Sequence, residues 1–111
     1  MDILFRERKF EKQCNQHTAL VRAQGGRRAP LIRARLDALR AATCLEDLRN
    51  IPGRLHELKK NRKGQLSLDL DHPYRLILIP NHDPVPSTED GGMDWGRVTA
   101  VKILGIEDTH E

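Results

Sequence analysis

Among the side chains of this 111-residue chain whose types move protons and hold phosphates, five are singled out: His56, Lys59, Arg75, Asp108 and His110. A phosphodiester of RNA opens without a metal when its own 2′-OH attacks the neighbouring phosphorus. That reaction needs a base for the hydroxyl proton, an acid for the leaving 5′-oxygen, and cations for charge developing on the phosphoryl oxygens. Imidazole suits the first two roles, because its reference pKa of about 6.5 leaves both forms available near neutrality. His56 and His110 are the candidates, in either order. Lys59 and Arg75 are candidates for stabilising the phosphate, Arg75 with a planar fork that reaches two oxygens at once. Asp108 lies two residues before His110, so in an extended strand both would share a face and the carboxylate could orient the ring. This chemistry calls for no cofactor and no metal. His17, His72 and His82 lack a flank like the Leu-Lys-x-x-Arg-Lys-Gly run that follows His56 and read as structural or solvent-facing.

Charge is unevenly spread. Residues 22–63 carry twelve Lys/Arg against four Asp/Glu, whereas residues 64–111 carry three against nine. A local excess of this kind fits a polyanion partner as well as it fits solvated helix faces. Within the basic stretch, Lys60, Arg62 and Lys63 surround a polar turn and are expected to meet RNA or ribosomal phosphates. Cys14 and Cys44 show no metal-binding spacing and read as reduced, structural thiols. No apolar run reaches the roughly 18 residues that suggest a membrane span, and the first residues lack a signal-like apolar stretch. A cytoplasmic protein with no membrane partner is therefore expected, built as one domain over residues 1–111.

These residues must be positioned by elements that the periodicity predicts. Residues 2–5 read as a short strand. Residues 6–24 read as a helix with Phe10, Cys14, His17 and Val21 on one face, ended by Gly25-Gly26. A second helix over 29–42 carries Ile32, Leu36 and Leu39, with Pro30 near its first turn. A further turn is expected over Leu45–Arg49, and Pro52-Gly53 closes the helical half. The period then changes. Residues 54–58 and 65–70 read as strands, the second with Leu66, Leu68 and Leu70 on one face and Ser67 and Asp69 on the other. Residues 74–79 are apolar on both faces apart from Arg75, as in a central strand, and residues 98–106 form a last one. The long connection over 80–96 is a candidate functional loop, its Asp90–Asp94 stretch a turn and Trp95 its anchor. Helices followed by strands give an α+β fold: an N-terminal helical hairpin packed on a small, mainly antiparallel sheet.

The segment Leu55-His56-Glu57-Leu58-Lys59-Lys60-Asn61-Arg62-Lys63-Gly64-Gln65 resembles the HigB-like branch of the RelE/ParE toxin superfamily, also called plasmid maintenance killer proteins. There a histidine is followed by Leu-Lys and by a polar turn ending in Arg-Lys-Gly. Tyr74-Arg75-Leu76-Ile77 resembles the aromatic-Arg-aliphatic strand of that family, and Ile106-Glu107-Asp108-Thr109-His110 its closing Asp-Tyr-His. The likeness covers residues 52–79 and 98–110. The sequence departs from the pattern at Lys60, where a glycine is usual, at Thr109, where a base-stacking tyrosine is usual, and in the longer acidic loop 81–94.

The resemblance implies a RelE-like fold and a type II toxin–antitoxin pair with a tight protein antitoxin, of helix-turn-helix type. In the HigB and RelE branches it implies a ribosome-dependent mRNA endoribonuclease (an mRNA interferase) that inhibits translation. In the ParE branch it implies non-enzymatic inhibition of DNA gyrase. A degenerate member kept as a regulatory binding module is a third reading, raised by Thr109.

Overall fold

The structure, a computed structural model, describes residues 1–108. Five strands form one sheet: β1 (Asp2–Phe5), β2 (His56–Glu57), β3 (Leu66–Asp69), β4 (Tyr74–Pro80) and β5 (Ala100–Asp108). Their order across the sheet is β1-β5-β4-β3-β2, with β1 parallel to β5 and every other pair antiparallel. Two helices, α1 (Arg8–Cys14) and α2 (His17–Ala41), pack against each other and cover one face. This is the α+β arrangement that the change of period predicts.

The helix boundaries differ from the expectation. The first helix ends at Cys14, not at residue 24, because Gln16 adopts an extended backbone (φ −132°, ψ 112°). Asn15 and Gln16 thus make the turn of the hairpin, and the stripe drawn from Phe10 through His17 does not exist as one face. Gly25 does interrupt α2, with φ 88° and ψ 159°, a backbone that glycine adopts freely. The chain resumes its helix at once, so Gly25 makes a kink and not the hairpin turn. Pro30 sits about one turn beyond that kink, where its missing N–H forfeits at most one hydrogen bond.

Leu20, Ile32, Leu36 and Leu39 of α2 meet Leu66, Leu68, Leu76, Leu78, Val101 and Ile103 of the sheet in the main core. Period-two alternation sends the intervening residues to the other face. There the registers build two rows. One runs His56, Ser67, Ile77, Gly105; the next runs Asp69, Arg75, Glu107. Between Ile77 and Leu78 the β4–β5 pairing slips, so that Gly105 and Ile103 are successive partners and Leu104 is the extra residue of a bulge.

Candidate functional site

The sheet face away from the helices gathers a histidine, a serine, an arginine and a carboxylate from three adjacent strands. Pro52-Gly53 turns the chain toward the sheet edge, and the Asp69 N–H donates to the Gly53 carbonyl at 2.7 Å. A side chain at Gly53 would meet Arg35, whose Nε lies 2.8 Å from the Cβ position. Arg54 follows in the left-handed region (φ 49°) and pairs with Asp69 at 2.9 Å. This bend delivers His56 to β2, directly opposite Ser67.

Both ring nitrogens of His56 are engaged. Nδ1 lies 2.9 Å from the Arg54 carbonyl, which can only accept, so Nδ1 carries the proton. Nε2 lies 3.3 Å from the Arg75 Nη1 and 3.3 Å from the Ser67 Oγ. A guanidinium can only donate, so Nε2 presents its lone pair. The ring is therefore held in the tautomer whose Nε2 can take a proton. Arg75 is fixed in turn by Asp69, with Nε 3.4 Å from Oδ1. One guanidinium thus serves both an ion pair and the imidazole.

The other residues that the sequence singled out fall in three places. Lys59, Lys60 and Lys63 are exposed around a 3-10 turn over Lys60–Arg62, and none of the three enters an ion pair among the described residues. They form a cationic rim beside β2. Arg62 behaves differently: its Nη1 and Nη2 bind Glu107 of β5 at 2.8 and 2.9 Å, while Nε and Nη2 reach the Gln65 side chain. Its fork is occupied within the fold. Asp108 pairs in register with Tyr74, on the face that carries the helices, whereas His56 lies on the other. The structure therefore does not bring Asp108 beside His56. His110 and Thr109 lie outside the described residues.

Three contributors were not singled out as site residues from the sequence. Ser67 is fully buried and touches His56 Nε2. Asp69 holds Arg54 and Arg75, and Glu107 holds Arg62. The available signal was the alternation of β3, which already placed Ser67 and Asp69 together on the non-leucine face. Trp95 anchors the long loop as expected: it is buried, its Nε1 donates to Glu57 Oε2 at 3.0 Å, and the Arg49 guanidinium lies 4.5 Å from its ring centroid.

Two further groups are set by their surroundings elsewhere in the fold. Arg28 of α2 binds Asp71 at 2.8 Å and stacks over Tyr74 at 3.7 Å, and its hydrogen bond holds the Asp71 carboxyl below the usual range. Burial pushes the Cys14 thiol up to about 11, so this cysteine is an inert part of the core. No helix among the described residues is long and apolar enough to cross a membrane.

Among solved structures, the chain is similar to a chain of the YoeB–YefM complex from Staphylococcus aureus, with a TM-score of 0.55 and 16% identity. The alignment covers 100% of this chain and 98% of that one. No family model and no curated protein matches the sequence. The likeness establishes the fold that the two chains share: an α+β arrangement of two helices on a five-stranded, mostly antiparallel sheet.

Proposed function

We propose that this chain is the toxin of a type II toxin–antitoxin pair, of the HigB-like branch, and that it cleaves mRNA on the ribosome. The observation that carries the reading is the contact of His56 Nε2 with Arg75, both half-exposed, on the sheet face away from the helices and beside a rim of lysines. An imidazole nitrogen that carries no proton and a cation able to hold a phosphate lie side by side, the pairing that metal-free transesterification requires. In this mechanism His56 Nε2 takes the 2′-OH proton while the 2′-oxygen attacks phosphorus. Arg75 stabilises the growing charge on the phosphoryl oxygens. The bond from phosphorus to the 5′-oxygen then breaks, and the leaving oxygen gains a proton, leaving a 2′,3′-cyclic phosphate and a 5′-OH. His110 is the proposed acid.

Lys59, Lys60 and Lys63 grip the RNA backbone or ribosomal RNA, and Arg62 supports them by fixing the turn. A protein antitoxin is the second partner, and the full-length likeness to a chain from a two-component complex supports that part of the reading. A gyrase inhibitor has less to recommend it, since binding alone needs no imidazole held in one tautomer. The test is expression of the chain without a partner, followed by primer extension on cellular mRNA. Growth arrest with translation-dependent cuts is the expected result. Arrest with intact mRNA and trapped gyrase–DNA complexes would replace this reading with the gyrase one.

A further inference from the structure

Nε2 of His56 has two neighbours, and they differ in what they can do. Arg75 only donates, so it suits the ring with an empty Nε2 and opposes the ring once Nε2 holds a proton. Ser67 carries a hydroxyl, which donates or accepts according to its rotation. It is the one polar group in the core and in the rows of the face away from the helices that is fully buried, and it sits in register opposite His56. A buried hydroxyl keeps a partner because leaving it unpaired is costly. Water cannot take over that role at a position with no exposure.

We propose that Ser67 is a positioning residue that lets His56 both take up and give back a proton at Nε2. With the ring neutral, Ser67 donates to the Nε2 lone pair beside Arg75. When the 2′-OH proton arrives on Nε2, the Ser67 hydroxyl turns and accepts it as a hydrogen bond, which the guanidinium cannot do. Ser67 thus offsets the repulsion between the imidazolium and Arg75. The charged groups around the ring are Arg75 on β4, Asp69 on β3, which neutralises Arg75 and Arg54, and the Arg62–Glu107 pair that joins the neighbouring turn to β5. On β2 itself, Glu57 is engaged with Trp95. No carboxylate among the described residues bonds the His56 ring, which leaves Ser67 as its acceptor at Nε2.

The role in catalysis rests on the nuclease reading above, but the coupling of Ser67 to His56 does not, so the experiment reads them separately. The imidazole nitrogens of His56 are followed by NMR against pH in the full chain and in Ser67→Ala and Ser67→Thr. Ser67→Ala should move the His56 midpoint to lower pH, since Arg75 can still donate to the neutral ring but nothing replaces Ser67 as acceptor for the charged one. Ser67→Thr, which keeps the hydroxyl, should return it. Cleavage of ribosome-bound mRNA by the same proteins should show the acidic limb moving in the same direction. An unchanged midpoint in folded Ser67→Ala overturns the proposal. A shifted midpoint in a protein that cuts no RNA upholds the Ser67–His56 coupling and defeats the nuclease reading instead.

Discussion

Arg62 grips both carboxylate oxygens of Glu107, with Nη1 and Nη2 at 2.8 and 2.9 Å, and so ties the turn after β2 to the end of β5. The pair is part-exposed, with 32% and 40% of the side chains accessible, so it is worth about 1 kcal/mol at most. Arg62→Ala should therefore lower the melting temperature by a few degrees, and Arg62→Lys should recover only part of it, because a lysine lacks the fork. Lys63→Ala should leave melting unchanged but weaken RNA or ribosome binding and reduce the magnitude of its salt slope by about one. Melting curves and binding across a salt series separate the two roles. Unchanged melting in Arg62→Ala with a salt slope reduced by about one would make Arg62 a direct phosphate ligand.

Lys60 occupies the left-handed region, with φ 58°. A side chain there costs roughly 1–2 kcal/mol relative to ordinary backbone, and glycine escapes most of that cost. Part of the gain is cancelled because glycine also enlarges the unfolded ensemble, by about 0.4–1 kcal/mol. Lys60→Gly should therefore raise stability by about 0.5–1 kcal/mol, seen as a higher denaturant midpoint at constant slope. It should also weaken RNA binding at low salt by removing one cation. A lower midpoint would contradict the assignment of backbone strain to this residue.

Asp71 gives a pH signature. Its carboxyl is held below the usual range by the hydrogen bond from Arg28, so its folded value is depressed relative to the unfolded one. The associated stability is fully present above the unfolded value and is lost as the pH falls through the folded one. Asp71→Asn should therefore melt lower than the parent at neutral pH, and the difference should close in the acid range below the usual carboxylate value. A difference that stays constant down to strongly acid pH would show that the contact acts through packing over Tyr74 and not through charge.

Much of this fold was legible because its two periods are clean. The alternation of Leu66, Leu68 and Leu70 against Ser67 and Asp69 gave β3 its inner face, and Arg75 alone among apolar neighbours marked β4. The break at Asn15-Gln16 was not legible, since neither residue terminates a helix as glycine or proline does, and Phe10 to Val21 happen to keep a helical spacing across it. The pairing of His56 with Arg75 was half legible. Both were singled out, but their contact depends on the register of β2, β3 and β4, which no local pattern fixes. Arg62 was read as a phosphate ligand, and its pairing with Glu107, 45 positions away in sequence, left no local signal. Asp108 was read from its spacing to His110, and that spacing says nothing about which face of β5 it takes.

The most direct measurement is cleavage of a defined mRNA on programmed ribosomes by the wild-type chain and by His56→Ala, with melting curves run in parallel. Removing a proton-transfer group of this kind should slow cutting by roughly 10²–10⁴-fold. The variant should stay folded and melt modestly lower, since His56 lies outside the core but its loss removes the partner of the buried Ser67 hydroxyl. Folded His56→Ala that cuts at the wild-type rate would contradict the account.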